Sequence, residues 1–515
     1  MKKIFTISLM LSAMLITGCK DFLIQEPITT LSTEQLLSEY NGLNNATFGA
    51  YSPLASNNWY GGTYFLLDAD TRAGNASWPV SSNFQSGRMM TGFTMSYNEN
   101  STSGLWSNAY FTISAANNVL ENLELNGADL VSTLVTQQDL DNLKAECLFL
   151  RALAHFDLMR IYCSNTNPDL GVPVILKSDR TYQEMPVRNT MREVYDQIES
   201  DLTTAESLIS DDYTRSGVAD ARAVVNKWVI KALLARVYLY DASFSGDDLN
   251  KFQIAADYAT EVIESGQYTM WTPEEYSTVW GNDAGSGEVI FEVYLVSAND
   301  YDPYWEAPTH MTNPGGYADI CASQSLVDFI QQDANDVRGF TGVRNAKQEG
   351  AMFCTDEDQL SGGELWTMKY PGKGLSTDIS GIPDQNNTIV LRLSEMYLIR
   401  AEATLHGAST PASADSDLNT VRTNRNAAFK AASYQSIWEE YRMEFCFEGH
   451  HWFNTARLAT CSNHDSYPFA VITYGADEVQ RRGLSGIDQN SHYWALPLSR
   501  TEMDANTSLV QNPGY

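Results

Sequence analysis

Apolar residues recur at steps of three and four over long stretches of this chain, and that period restricts the folds open to it. Between 143 and 162, Leu143, Cys147, Leu150, Ala154, Leu158 and Ile161 fall on one stripe, with Lys144, Arg151 and Arg160 elsewhere on the wheel. That is the signature of an amphipathic helix. Residues 221–242 repeat it with Val225, Val229, Leu233, Val237 and Tyr240, and 252–265, 391–405 and 434–447 read the same way. Thr190 to Ile209 adds another helix, with Glu193 and Asp196 near its start. Alanine is frequent in these segments and suits close helix–helix contact. Paired helices of this size predict hairpins of tetratricopeptide type, diverged from the strict period of about 34 residues. The expected class is mostly α, with one short strand at 288–294.

Between the helices lie stretches of a different composition. Residues 56–104 are rich in Asn, Ser, Gly and Thr, interleaved with Trp59, Tyr60, Tyr64, Trp78, Phe84, Phe93 and Tyr97. Residues 266–320 carry Tyr268, Trp271, Tyr276, Trp280, Tyr301, Tyr304, Trp305 and Tyr317, and 341–387 form a third such region. Long irregular segments in a folded chain are functional or disordered. Disordered segments are poor in aromatics, so these are expected to be packed on the helices.

The first residues read as an address. Lys2 and Lys3 precede an apolar run from Ile4 to Ile16, which ends in Thr17-Gly18-Cys19. The run is too short to span a bilayer as a helix. It fits a cleaved leader over 1–18, with Cys19 as the diacylated first residue and 19–32 as a tether. The main body then divides into parts 33–245 and 246–515. The formal net charge is −31, or −33 once Lys2 and Lys3 leave with the leader. Such acidity argues against nucleic acid and anionic lipid headgroups as partners. Contact with a membrane is therefore expected through the lipid alone. Of the seven cysteines, the six after Cys19 show no CxxC spacing, which argues against a zinc or thioredoxin-like site. Cys147 and Cys446 sit in helical patterns and are read as buried free thiols.

Several ordered motifs resemble the SusD/RagB family of nutrient-binding lipoproteins of Bacteroidota. Glu146, Phe149, Arg151, Ala152, Phe156 and Asp157 resemble its first signature helix, followed by Gly171-Val172-Pro173, Pro186 and Arg188. Lys227 and Ala232 to Tyr238 match the next helix. Arg392, Glu395, Tyr397, Ala401 and Glu402 match a later one, then Leu418, Asn419, Arg422 and Arg425. Glu440, Arg442, Glu444, Phe447, Glu448, Gly449, His450, Trp452 and Phe453 form a further block, and Gln511 to Tyr515 the ending. Tyr441, His451 and Asn454 stand where the family pattern has Arg, Arg and Asp, which puts a local ion-pair network in question. The resemblance implies a tetratricopeptide-type helical layer beside an irregular, loop-rich ligand-binding layer. It also implies glycan capture at the cell surface and a SusC-like TonB-dependent outer-membrane transporter as partner. Peptide capture and a purely protein-binding helical scaffold are the alternatives.

Charged residues inside apolar helices are seldom buried unless paired. Arg392, Glu402, Arg442 and Glu448 are therefore expected to knit helices together. No GxSxG elbow or P-loop occurs, and the adjacent His450 and His451 lack the i, i+4 spacing of a zinc helix. No catalytic residue, metal or cofactor is predicted. A sugar ring offers a C–H face and an equator of hydroxyls, which need aromatic platforms and hydrogen-bonding groups. The candidate contacts are Trp78 and Trp305 as platforms, Tyr301 and Tyr304 beside them, and Asp68, Arg72, Asn75 and Asn83 as polar partners. Trp106, Trp228, Trp438 and Trp452 are assigned to the core.

Overall fold

The computed structural model describes residues 36–62, 65–79, 87–178, 185–218, 220–276, 278–281, 287–295, 308–312, 318–339, 342–343, 353–355, 364–372 and 386–515. Its main helices are α1 (Tyr40–Tyr51), α2 (Leu66–Arg72), α3 (Gly87–Thr94), α4 (Ser103–Leu130), α5 (Gln137–Tyr162), α6 (Met191–Leu208), α7 (Lys227–Phe244) and α8 (Leu249–Glu264). The later ones are α9 (Leu393–Leu405), α10 (Ala414–Thr423), α11 (Tyr434–Glu444), α12 (His450–Thr460) and α13 (Ala476–Arg482). The chain is mostly helical, as the periodicity predicts.

Helices α4 to α9 pack in succession: α4 on α5, α5 on α6, α7 on α8, and α8 on α9. Local chemistry sets where they begin. Thr136 and Thr190 start α5 and α6 with capping boxes, the Asp139 and Glu193 side chains returning to the cap N–H groups. The helix predicted from 221 starts at Lys227 instead. The Asn226 side chain accepts from Trp228 and Val229 N–H there, and the three residues 221–223 form only a 3₁₀ turn. That start places Trp228 in the first turn, where it is half-buried rather than in the core, as is Trp438. Trp106 and Trp452 lie in the core as expected, Trp452 being 0 % exposed.

Buried ion pairs fasten the helices, and of the four residues expected to knit them Arg392, Glu402 and Glu448 are paired, whereas Arg442 bonds the neutral Asn75 and Ser325 instead. Arg151 binds Asp201 with two hydrogen bonds of 2.8 and 2.7 Å and reaches Asn117, so one guanidinium joins α4, α5 and α6. Arg236 holds Glu395 at 2.6 Å, linking α7 to α9. Arg457 holds Glu402 at 2.7 and 2.8 Å, linking α12 to α9. Cys147, Cys163, Cys321, Cys446 and Cys461 are buried free thiols.

Strand content is small. β1 (Ala76–Ser77) pairs antiparallel with β3 (Cys321–Ala322), and β2 (Val289–Val293) with β4 (Thr388–Arg392). β2 is the strand predicted at 288–294. All five of its residues are buried, because it lies between α7 and β4 rather than on a solvated edge.

Glu292 is an acid inside this buried strand. It accepts from Asn387 Nδ2 at 3.0 Å and faces the Arg222 guanidinium at 3.1 Å. Burial outweighs the pull of Arg222 and lifts its carboxyl to about 8. A folded value above the unfolded one means stability that is full below the unfolded value and lost as pH rises through 8. The melting temperature should therefore fall between pH 5 and pH 8. In Glu292→Gln that fall should be shallower, by the equivalent of roughly 2–4 kcal/mol. Parallel melting profiles of the two proteins across that range would show that Glu292 does not carry this proton.

Candidate functional site

Helix α2 carries two of the predicted polar contacts, and all seven of its residues are buried. Asp68 accepts from the Tyr97 phenol and faces Arg72 Nε at 3.4 Å. The Arg72 guanidinium lies 4.5 Å from the centre of a Trp452 ring and is 1 % exposed. Beyond the helix, Gly74 takes φ +72°, a left-handed conformation in which an added Cβ would come within 3.3 Å of the Tyr474 ring. Asn75 donates to Asp70 at 2.9 Å, and its side-chain oxygen accepts from Arg442 Nε at 2.9 Å. Ser323 closes the same turn, its hydroxyl donating to Gly74 O at 2.6 Å and its N–H to Asn75 O at 2.8 Å.

Asp68, Arg72 and Asn75 are thus interior groups, and their assignment as ligand contacts is corrected. Asp68 and Arg72 lie on α2, all of whose residues are buried, and Asn75 lies in the buried turn beyond it. Asp70, absent from the candidates, is the centre of the turn. It accepts from Asn75 and from Gly449 N–H at 2.9 Å, and burial lifts its carboxyl to about 6.

This rigid turn delivers β1, and Trp78 follows directly. Its indole is half-buried and meets Phe93 edge-on, with centroids 6.1 Å apart and planes at 89°. Its carbonyl accepts from Arg481 Nη1 at 2.7 Å, and Arg481 Nη2 reaches Ser77 Oγ at 3.3 Å. The next residue, Arg482, is buried and donates to the carbonyls of Thr71, Phe93 and Ala76 at 2.9–3.1 Å. Helix α13 therefore clamps the segment on which Trp78 stands. Sequence reasoning did not single out Arg481 or Arg482. Trp305, Tyr301, Tyr304 and Asn83 lie outside the described residues.

Other aromatics of the two loop stretches serve as anchors. Trp59, Tyr60 and Tyr97 are buried, and Asp157 accepts from both Trp59 and Tyr60 at 2.7 Å. Trp271, Tyr276 and Trp280 pack edge-to-face with one another, centroids 5.3–6.3 Å apart. Beside them is a cleft of about 450 Å³, its open mouth included, lined by Arg222, Trp280, Glu292, Asn386 and Asn387. Its polar groups already bond one another: Asn386 donates to Trp280 O at 2.8 Å and Asn387 to Glu292. Among the described residues no group of three or more His, Cys, Asp or Glu could hold a metal ion. His450 stacks on Phe445 at 4.5 Å and burial holds its imidazole well below its ordinary range.

Comparison with known proteins matches this architecture. The family model described as starch-binding and associating with the outer membrane covers residues 21–239, and the SusD family model covers 343–515. SusD-like protein P2 of Formosa agariphila is 24% identical over 553 aligned positions, spanning the whole of both chains. A SusD superfamily protein of Bacteroides vulgatus ATCC 8482 has a TM-score of 0.74 at 24% identity, covering 93% of this chain and 99% of its own. A laminarin binding SusD-like protein has a TM-score of 0.68 at 21% identity, covering 93% and 100%. With two SusD models matched in order, relatives along its full length and the same fold, the chain belongs to the SusD/RagB family.

Proposed function

We propose that the protein is a surface-exposed lipoprotein that captures glycans for import through a SusC-like TonB-dependent transporter. One observation carries the reading: a half-exposed tryptophan, Trp78, stands at the end of a strand whose backbone is fixed from three sides. Stacking on a sugar face needs a flat ring that does not have to be ordered on binding, and Trp78 meets that need. The laminarin binding neighbour supports the ligand class by its shared fold. Anchoring is assigned to Cys19, with the membrane touched through lipid alone. No helix among the described residues is long and apolar enough to cross a bilayer.

A glycan array on the purified chain from residue 20 onward identifies the ligand. Calorimetry with that ligand should then show Trp78→Ala binding about tenfold more weakly, or roughly 1–3 kcal/mol. The variant should melt close to the parent, because a half-exposed ring leaves no closed cavity behind. Undiminished affinity with an early melt would make Trp78 a loop anchor.

Anchor and partner are tested together by native purification in mild detergent. The wild-type lipoprotein should bring down a TonB-dependent porin, whereas Cys19→Ala should leave the membrane fraction altogether. Two acyl chains give stable attachment, so a Cys19→Ala protein retained in membranes contradicts the anchor. Repeated recovery of the wild type alone contradicts the partner.

A further inference from the structure

Arg481, like Arg188 and Arg442, binds neutral groups rather than a carboxylate among the described residues. Arg151, Arg236, Arg338, Arg392, Arg400, Arg425 and Arg457 all bind carboxylates. Arg481 makes no ion pair among the described residues; it donates to two neutral oxygens, Trp78 O and Ser77 Oγ. The carboxylate nearest in sequence, Glu478, is taken by Arg482 at 3.2 Å.

Three contacts close a ring around the tryptophan. The Arg481 guanidinium lies 5.4 Å from the Phe93 ring centre, Phe93 meets Trp78 edge-on at 6.1 Å, and Arg481 returns to the Trp78 carbonyl. The hydrogen bonds fix the backbone of residues 77 and 78, and the Phe93 ring limits the indole's rotation. Arg481 and Phe93 each restrict Trp78, so less of its freedom remains for a ligand to order.

We propose that Arg481 is a positioning residue of the glycan platform, holding the Trp78 ring in its stacking orientation before ligand arrives. The residues are 403 positions apart, so the last part of the chain sets the geometry of a surface carried by the first. This inference rests on the reading of Trp78 as a stacking platform.

The test uses protein labelled with 5-fluorotryptophan and the ligand chosen by the array. Fluorine NMR of Trp78→Phe assigns the Trp78 resonance. Arg481→Ala should shift or broaden that resonance and leave those of Trp59, Trp366 and Trp452 in place. Its affinity should fall several-fold, up to tenfold, and Arg481→Ala combined with Trp78→Ala should bind no worse than Trp78→Ala alone. Arg481→Lys, which keeps one donor for the Trp78 carbonyl, should recover part of the loss. An unmoved Trp78 resonance, or wild-type affinity in Arg481→Ala while Trp78→Ala is weakened, overturns the positioning role and leaves the platform standing. Wild-type affinity in Trp78→Ala overturns the platform, and the positioning role with it.

Discussion

A buried cluster of charges in the second half of the chain sets the position of nearly everything around it. Glu444 accepts from Arg338, Arg392 and Arg425, and Glu288 from Arg392 and Arg425. Glu440 accepts from Arg338 and Arg422, Glu448 from Arg392 and Lys369, and Asp336 from Arg338. Five cations face five carboxylates, and no side chain among them is more than 8 % exposed. Each ion costs several kcal/mol to take out of water, and only a complete set of partners offsets that cost. Burial alone would raise the Glu444 carboxyl. The guanidiniums of Arg425, Arg392 and Arg338 overcome it and hold the group well below the carboxylate range.

The cluster reaches the candidate site through a short chain of contacts. Lys369 donates to Glu444 O at 2.7 Å, and the next residue, Tyr370, donates to Phe447 O at 2.7 Å. Phe447 and Gly449 both have left-handed backbones, at φ 64° and 77°, so the chain turns sharply after α11. That turn aims Gly449 N–H at Asp70, Asp70 holds Asn75, and Asn75 leads into β1 and Trp78. The Arg151–Asp201 pair of the helical layer lies apart from this chain of contacts. That pair joins the successive helices α5 and α6.

Much of the helical layer was legible because its information is local. The three-and-four period, the Thr190 cap and the paired charges act within one helix or between neighbours, although the first turn of α5, capped by Thr136, lies before the predicted start at 143. Errors arose where a distant contact decided. Asp68, Arg72 and Asn75 read as polar partners for a ligand, yet α2 and the turn beyond it are enclosed by residues from far along the chain, Trp452 at Arg72 and Arg442 at Asn75. Helix α11 stops at Glu444, short of the predicted 447, because Phe447 takes its left-handed turn in the core. Tyr441, His451 and Asn454 raised doubt about an ion network. The network lies instead on Glu440, Glu444 and Glu448, while Tyr441 Oη and His451 Nδ1 are buried without hydrogen bonds. The contact of Arg481 with Trp78 was invisible for the same reason: nothing in Gly475 to Gly483 points to Trp78. Trp78 itself was singled out by composition, as an aromatic among Asn, Ser and Gly.

The buried charges, through Gly449 and Asp70, hold the strand bearing Trp78. Native-state hydrogen exchange of Glu444→Gln tests this directly. Removing one partner of a buried ion pair costs about 3–5 kcal/mol, and local stability governs exchange where opening is local. The amides of residues 74–78 should therefore exchange on the order of a hundredfold faster than in wild type. Those of α4, α5 and α6 should be unchanged. Unaltered protection at 74–78 in a variant that has lost stability elsewhere would contradict the account.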